Sequence, residues 1–224
     1  MTSSARDRLI LVEAAVETLE QAVAAERVGV DRLELCADLD DGGVTPTFGV
    51  IETVVAATSL PVQVMVRPRP GDFQFSYDEV SLMKKDIRLI REVQRTGIVT
   101  GVVDDAGSIN LPALRRLLTG AEGCPVTFHR AIDTLADPLA ALDDLATLRV
   151  QRVLTSGGGR TAMEGIEQLS AMIKRARNRI TIVAAGGIRA NNVRDVIERT
   201  GVREVHARFE SESQMRQLVE AARY

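Results

Sequence analysis

Residues 125–133 read PVTFHRAID, and this stretch is the most informative one for the fold class. The apolar run 125–128 has the composition of a buried strand, and it leads without interruption into His129, Arg130 and Asp133. An imidazole, a guanidinium and a carboxylate therefore stand together where a strand ends and a loop begins. Polar chemistry at the C-terminal ends of strands is typical of the active-site face of a (β/α)8 barrel.

The rest of the chain alternates strands with helices in the same way. Strands are predicted at 9–16, 31–36, 61–67, 97–103, 125–129, 151–155, 180–184 and 202–206, and helices at 17–28, 48–58, 78–94, 111–119, 138–148, 163–175 and 191–199. Thr47, Asp137 and Thr161 are predicted to start three of these helices. The strands are continuous apolar runs, as expected for a parallel sheet covered on both faces. We therefore predict an α/β fold with one TIM-barrel domain over 1–224. A doubly wound open sheet is the alternative, but no G-x-G-x-x-G turn follows the first strand.

Composition excludes several kinds of partner. The net charge is −3, the basic residues form no stripe, and aromatic residues are only 3% of the chain, so no nucleic-acid partner is expected. No apolar segment approaches the roughly 20 residues of a membrane span, and no signal peptide is evident at the N-terminus. Cys36 and Cys124 fall at opposite ends of their predicted strands, too far apart for a disulfide. We therefore expect a cytoplasmic protein.

Other chemistry is excluded by residue type. Lys84, Lys85 and Lys174 all fall in predicted helices, so no amine stands at a strand end to form a Schiff base. No H-E-x-x-H sequence and no paired C-x-x-C sequence is present, which argues against a zinc protease or a structural zinc site.

The strand ends and the loops after them supply the candidate functional residues. The candidates for proton transfer are Glu13, Glu34, His129 and Asp133; those for anion binding are Arg67, Arg130, Ser156, Gly157, Gly158, Gly186 and Gly187. The glycines qualify because they allow the backbone to approach an anion closely at the N-termini of helices. Structural roles are the alternative: either glutamate pairing with Arg67 or Arg130 in an ion bridge, and His129 as a hydrogen-bonded core residue.

Several segments resemble the CutC family in the family's order. They are 31–37 (DRLELCA), 42–46 (GGVTP), 64–69 (VMVRPR), 71–73 (GDF), 126–133 and 152–158, and the resemblance continues through 186–188, Asn192 and 201–207. The resemblance implies a TIM barrel, a cytoplasmic location and a role in copper homeostasis. It covers nearly the whole chain, and several motifs in one order are more specific than any one alone.

A role in copper homeostasis directs attention to sulfur and nitrogen ligands. Cu(I) prefers thiolates and thioethers, so Cys36, Met65 and His206 are the candidate copper ligands, with His129 as a further nitrogen donor. Many family members carry a cysteine two residues after the glutamate of strand 1, where this chain has Ala15. One thiol therefore remains at the C-terminal face, and no site with two thiolates from one subunit is expected. Taken alone, Cys36 and Met65 are also ordinary core residues.

The two arginines at the same face favour another hypothesis. Arg67 and Arg130 would repel a copper ion, but they suit an anionic small molecule. The alternative function is therefore a lyase, isomerase or hydrolase that acts on a phosphate- or carboxylate-bearing metabolite. Glu34 or Glu13 would be its base and His129 its acid, or the two glutamates and two histidines would bind a divalent metal. A third hypothesis is a degenerate site in a barrel that acts through partners. An exposed apolar patch would indicate a homodimer.

Overall fold

A computed structural model describes residues 10–223. Its strands are β1 (Leu11–Val16), β2 (Arg32–Leu35), β3 (Val62–Met65), β4 (Thr96–Thr100), β5 (Val126–Phe128), β6 (Arg152–Thr155), β7 (Thr181–Ala184) and β8 (Glu204–Arg208). Its helices are α1 (Leu19–Arg27), α2 (Phe48–Ala57), α3 (Tyr77–Ile90), α4 (Leu111–Leu118), α5 (Pro138–Thr147), α6 (Ile166–Ala176), α7 (Val193–Thr200) and α8 (Glu212–Arg223). Leu9, where the first strand was predicted to begin, lies outside the described residues, as do the two ends of the predicted domain.

The eight strands close into one parallel barrel. Each strand pairs with the next along the chain, and β8 returns to β1, where His206 lies opposite Glu13. The predicted (β/α)8 barrel is confirmed. The predicted helices omit α8, although its buried residues Met215, Leu218, Val219 and Ala222 recur at helical spacing.

Two of the three predicted helix starts need comment. Asp137 caps α5 by accepting the N–H groups of Leu139 and Ala140, as expected. Thr161 does not start a helix, because α6 begins only at Ile166. The Thr161 hydroxyl still accepts the N–H of Glu164 at 3.2 Å, so its capping bond closes a turn before the helix.

The barrel interior is unusually polar for this fold. Outward-facing residues such as Val12 and Leu33 join the helices in the main hydrophobic core. Inward-facing residues form charged and polar contacts across the barrel: Arg32 of β2 reaches Glu204 of β8 at 2.6 Å, and Arg152 of β6 bonds Gln63 of β3. The prediction of continuous apolar strands is therefore wrong for β2 (RLEL) and β8 (EVHAR), since each alternates a polar interior face with an apolar outer one.

Two surface features of the fold bear on partners. No helix between residues 10 and 223 is both long and apolar enough to cross a membrane. On α3, Tyr77, Leu82 and Leu89 are exposed, and the guanidinium of Arg116 stacks on the Tyr77 ring at 3.9 Å. The homodimer stays a prediction.

Candidate functional site

A cavity of about 120 Å³ opens where the strands end at their C-terminal side. Its lining comes from five strand ends and the loops that follow them: Glu34, Leu39, Gly42, Met65, Arg67, Phe73, His129, Arg130, Leu154 and His206. Six of the predicted site residues are therefore brought to one place. Active sites of this fold lie at the same face.

A chain of three ionisable side chains runs from the barrel interior to the cavity. His206 Nδ1 lies 2.7 Å from Glu13 Oε1, and its Nε2 lies 3.5 Å from Glu34 Oε2. Arg32 holds the other oxygen of Glu13. Burial opposes the charge of Glu13, but Arg32 and His206 outweigh it and lower the pKa of Glu13 to about 2. Glu13 is thus a permanent partner of Arg32, and not of the predicted Arg67 or Arg130.

Of the two glutamates that flank His206, Glu34 is the one that lines the cavity. It is 2% exposed, and Oε1 has no hydrogen-bond partner among the described residues. Burial raises the pKa of Glu34 to about 7; the nearby Glu13 charge adds to this, while His206 opposes it. Because Glu13 is fully engaged, Glu34 is the glutamate of the two that is placed to exchange a proton.

His129 follows β5 and is held as a neutral hydrogen-bond donor. Its Nδ1 accepts the N–H of Ala131 at 3.2 Å, so the ring proton of the neutral imidazole lies on Nε2. Burial, and then the charge of Arg67, lower the pKa of His129 to about 3. His129 Nε2 is buried and unpartnered within residues 10–223. The predicted acid is therefore a neutral N–H donor at physiological pH.

Arg67 is a buried cation whose guanidinium, among the residues that the structure describes, donates hydrogen bonds to backbone carbonyls. Its Nη1 donates to the carbonyls of Asp41 and Gly43, at 3.1 and 3.0 Å, and its Nη2 donates to that of Gly71 at 2.7 Å. The residue is 4% exposed, and Nε is buried with no partner in the described part of the chain. No carboxylate within residues 10–223 forms an ion pair with it at 4.0 Å or less.

Asp133 occupies the glycine loop that follows β6. Its carboxylate accepts the N–H groups of Ser156 and Gly158, at 3.0 and 3.1 Å, and the Ser156 hydroxyl at 2.9 Å. Arg130 Nε and the Thr155 hydroxyl complete the set. The predicted anion-binding loop at Ser156, Gly157 and Gly158 therefore already holds an anion, and an external one would have to displace Asp133.

The second glycine loop lies beside the first. Gly186 and Gly187 have φ of +93° and +67°, which glycine adopts without strain. An added Cβ at Gly186 would stand 3.0 Å from the Ser156 side chain, so the two loops touch. The carbonyls of Gly186 and Gly187 accept the Ala162 N–H and the Asn192 side chain, both at 2.8 Å. Neither glycine lines the cavity.

The two predicted sulfur ligands belong to one buried cluster, of which Met65 lines the cavity and Cys36 does not. Cys36 and Met65 form a small apolar cluster with Val99 and Leu39, and Cys36 is fully buried. Burial, and then the charges of Glu34 and Glu13, raise the pKa of the Cys36 thiol well above its usual value. Within residues 10–223, no three His, Cys, Asp or Glu side chains are placed to hold a metal ion. Cys36 and Cys124 are both free, as expected.

Sequence reasoning missed two groups of residues. Phe73 packs its ring 4.9 Å from the Arg67 guanidinium and 4.8 Å from the His129 ring, so it forms a wall shared by both. The interior network of Arg32, Gln63, Arg152 and Glu204 was also missed. The sequence does contain a pattern that predicts part of this network. In β2, Arg32 and Glu34 are two residues apart and so lie on one face of the strand, and the same holds for Glu204 and His206 in β8.

Fold and site together define a (β/α)8 barrel with a small, polar cavity at the C-terminal ends of its strands. The sequence profile of the CutC family matches residues 10–211. The chain belongs to the CutC family.

Individual relatives agree with this assignment. The copper homeostasis protein cutC homolog of Homo sapiens is 43% identical over 196 residues, which cover 88% of this chain and 72% of that protein. The family protein CutC of Xanthomonas campestris pv. campestris (strain 8004) is 42% identical over 196 residues, covering 88% and 82%.

Solved structures place the fold in the same family and in a wider class. The crystal structure of CutC from Streptococcus agalactiae superposes with a TM-score of 0.84 at 32% identity, covering 88% of this chain and 98% of that one. Thiamine phosphate pyrophosphorylase from Pyrococcus furiosus has a TM-score of 0.66 at 13% identity, covering 98% of each chain. The second likeness concerns the fold alone.

Proposed function

We propose that this chain is a cytoplasmic member of its copper-homeostasis family whose cavity binds a small organic anion and transfers a proton to or from it. The observation that carries the proposal is the buried guanidinium of Arg67, which forms no ion pair within 4.0 Å with a carboxylate of the described residues; Asp41 and Asp72 attract it only from further away. The two free cysteines support the cytoplasmic location, because thiols stay reduced there.

The charge of Arg67 is the main argument for an anion. A buried ion without a counter-ion is costly, and proteins normally pair it or leave it near water. Arg67 instead donates to three carbonyls, which fix its plane, and its buried Nε has no partner among the described residues. Arg130 at the cavity mouth is already paired with Asp133, so the charge of Arg67 is the one left for a ligand. A bound anion supplies the missing partner.

The other cavity residues support chemistry on that anion. Glu34 is the group that exchanges the proton, and His129 donates its Nε2 hydrogen to an oxygen of the ligand. Glu13 and His206 position Glu34 from behind. Proton transfer of this kind fits a lyase or an isomerase, and water activated by Glu34 would fit a hydrolase.

Calorimetric titration with acetate and with inorganic phosphate, in Tris buffer at low salt, tests the proposal. We expect saturable binding of at least one anion, and its loss in Arg67→Met. Arg160→Met is the matched control, since Arg160 is 90% exposed, pairs with Glu164 and lies outside the cavity. The proposal would be overturned if neither acetate nor phosphate binds the wild type, or if Arg67→Met binds the anion as tightly as the wild type does.

Copper binding is the second candidate, and the packing of Cys36 and Met65 in one cluster favours it. A thiolate and a thioether are the soft ligands that Cu(I) prefers; Met65 and His206 line the cavity, and Cys36 is buried in the cluster that contains Met65. Copper would be the cargo of such a site. The buried, protonated Cys36 thiol has to lose its proton on binding, which makes the affinity rise with pH.

A Cu(I) competition titration under reducing conditions tests the copper candidate. We expect one Cu(I) per chain in the wild type, weaker binding in Met65→Leu and none in Cys36→Ser. Cys124→Ser is the control, because Cys124 lies before β5 at the opposite end of the barrel. Binding that does not respond to Cys36→Ser would exclude this site.

A further inference from the structure

We infer that the anion bound in the cavity is a small carboxylate, held between His129 Nε2 and Arg67 Nε, and not a phosphate or phosphate ester. The inference rests on the proposed function and names the class of ligand that the site takes. It follows from the two donors, from the occupation of the neighbouring glycine loop, and from the size of the cavity.

The two donors form one prearranged pair. Both are buried nitrogen atoms without partners in the described part of the chain, and both residues line the cavity. The Phe73 ring packs against both side chains, at 4.9 Å from the Arg67 guanidinium carbon and 4.8 Å between the ring centres of Phe73 and His129. Backbone contacts fix the far side of each: three carbonyls on Arg67 and the Ala131 N–H on His129. Two N–H donors at one cavity, one of them charged, are the donors that a carboxylate with its two oxygens can use.

A phosphate would need more donors than the cavity offers. Barrel enzymes that bind phosphate commonly use backbone N–H groups of the late loops. Here the N–H groups of Ser156 and Gly158 after β6 are already bonded to Asp133, and Arg130 Nε and Nη2 are bonded to Asp133 and Ser156. The loop after β7, with Gly186 and Gly187, lies outside the cavity lining. A dianion would also approach the buried carboxyl groups of Glu34 and Glu13. The single cationic partner that remains is Arg67, which suits a single negative charge.

The cavity is small, at about 120 Å³, so the group that it holds at its buried end is small too. The carboxylate of acetate or of pyruvate is such a group. Beyond the carboxylate, the rest of the ligand would lie against Met65 and Leu154, two apolar side chains of the lining.

Competition calorimetry with acetate, pyruvate and inorganic phosphate tests the inference, using wild type, His129→Gln and His129→Phe. Gln keeps a side-chain N–H donor, whereas Phe keeps a ring without one. We expect acetate or pyruvate to bind wild type and not be displaced by equimolar phosphate, and to bind His129→Phe about tenfold or more weakly, as a lost hydrogen bond to a charged group predicts. His129→Gln should recover most of that affinity.

The outcomes separate the two proposals. Phosphate that binds more tightly than the carboxylates, and displaces them, would overturn the carboxylate inference and leave anion binding intact. Equal carboxylate binding by wild type and a folded His129→Phe would also overturn it. Binding of none of the three anions would overturn both proposals. Circular dichroism of each variant establishes that it is folded before it is titrated.

Discussion

His129 owes its chemical state to its neighbours. The imidazole lies buried behind Phe73 and close to Arg67. It stays neutral because burial removes the water that would solvate an imidazolium, and because the charge of Arg67 repels one. Its Nδ1 takes the Ala131 N–H, so the tautomer is fixed as well. A residue that sequence reasoning treats as an acid is thus a fixed hydrogen-bond donor, and its surroundings could not be read from residues 125–133 alone.

The depressed pKa of His129 predicts a pH-dependent stability. In the unfolded chain His129 takes a proton near pH 6.5, and in the folded chain only near pH 3. Between these values the unfolded state binds more protons, so this residue makes stability fall as the pH falls, by at most about 1.4 kcal/mol per pH unit. We therefore measure the free energy of unfolding in urea at several pH values from 6.5 to 4. It should change less steeply with pH in His129→Gln than in wild type. Equal slopes would show that the folded protein lets His129 take up a proton.

Glu13 predicts a large structural effect at the same scale. Its carboxylate bonds both Arg32 and His206 in the barrel interior. Glu13→Gln leaves Arg32 with Glu204 as its remaining carboxylate and should lower the free energy of unfolding by about 3–5 kcal/mol, as expected when one partner of a buried ion pair is removed. Glu167→Gln is the control, because the side chain of Glu167 is 91% exposed; its change should stay within about 0.5 kcal/mol. An effect of Glu13→Gln no larger than that of the control would contradict the interior network.

At the scale of elements, Asp133 joins the turn after β5 to the loop after β6. Its carboxylate accepts from two backbone N–H groups, two hydroxyls and Arg130. The sequence predicts that the glycines of that loop suit an anion. What the sequence does not reveal is that the anion is internal, because 22 residues or more separate Asp133 from the loop.

Replacement of Asp133 should lower the stability of the protein, and an added anion should restore part of it. Asp133→Ala leaves the N–H groups of Ser156 and Gly158 without their acceptor, so we expect the Tm to fall by several degrees. Added formate should raise the Tm of Asp133→Ala and leave that of wild type nearly unchanged, as measured by differential scanning fluorimetry at constant ionic strength. The same rise in both proteins would mean that formate acts elsewhere.

Gly101, which follows β4, allows a test of the position of the His129 ring. A Cβ at Gly101 would stand 2.6 Å from the His129 ring, closer than such contacts occur. Gly101→Ala should push the ring from its place, destabilise the fold by about 1–3 kcal/mol and weaken carboxylate binding. Gly49→Ala is the matched control: Gly49 lies in α2 with nothing within 4 Å of an added Cβ, so it should be neutral or stabilise. Undiminished carboxylate binding by Gly101→Ala would argue against the role of His129.

For the whole molecule, the barrel was predictable because its outer core follows simple patterns. Apolar strands alternated with helices that bury one face, and the eight strands close in chain order. The interior was less predictable. Arg32, Gln63, Arg152 and Glu204 pair only after the barrel closes, since their partners lie on other strands. The barrel topology brings Arg67, His129 and Glu34 to one cavity. The topology does not predict that each of them has a buried atom without a hydrogen-bond partner among the described residues.

The unpartnered nitrogen atoms of Arg67 and His129 are the two groups proposed to bind a carboxylate. The most direct measurement is a high-resolution crystal structure of the protein grown with acetate, with crystals grown without it as the comparison. We predict the acetate oxygens about 2.7–3.2 Å from Arg67 Nε and His129 Nε2, beneath Phe73. A cavity filled by water alone at saturating acetate, or an acetate bound only outside the cavity, would contradict this prediction and leave the Cys36–Met65 pair as the remaining candidate site.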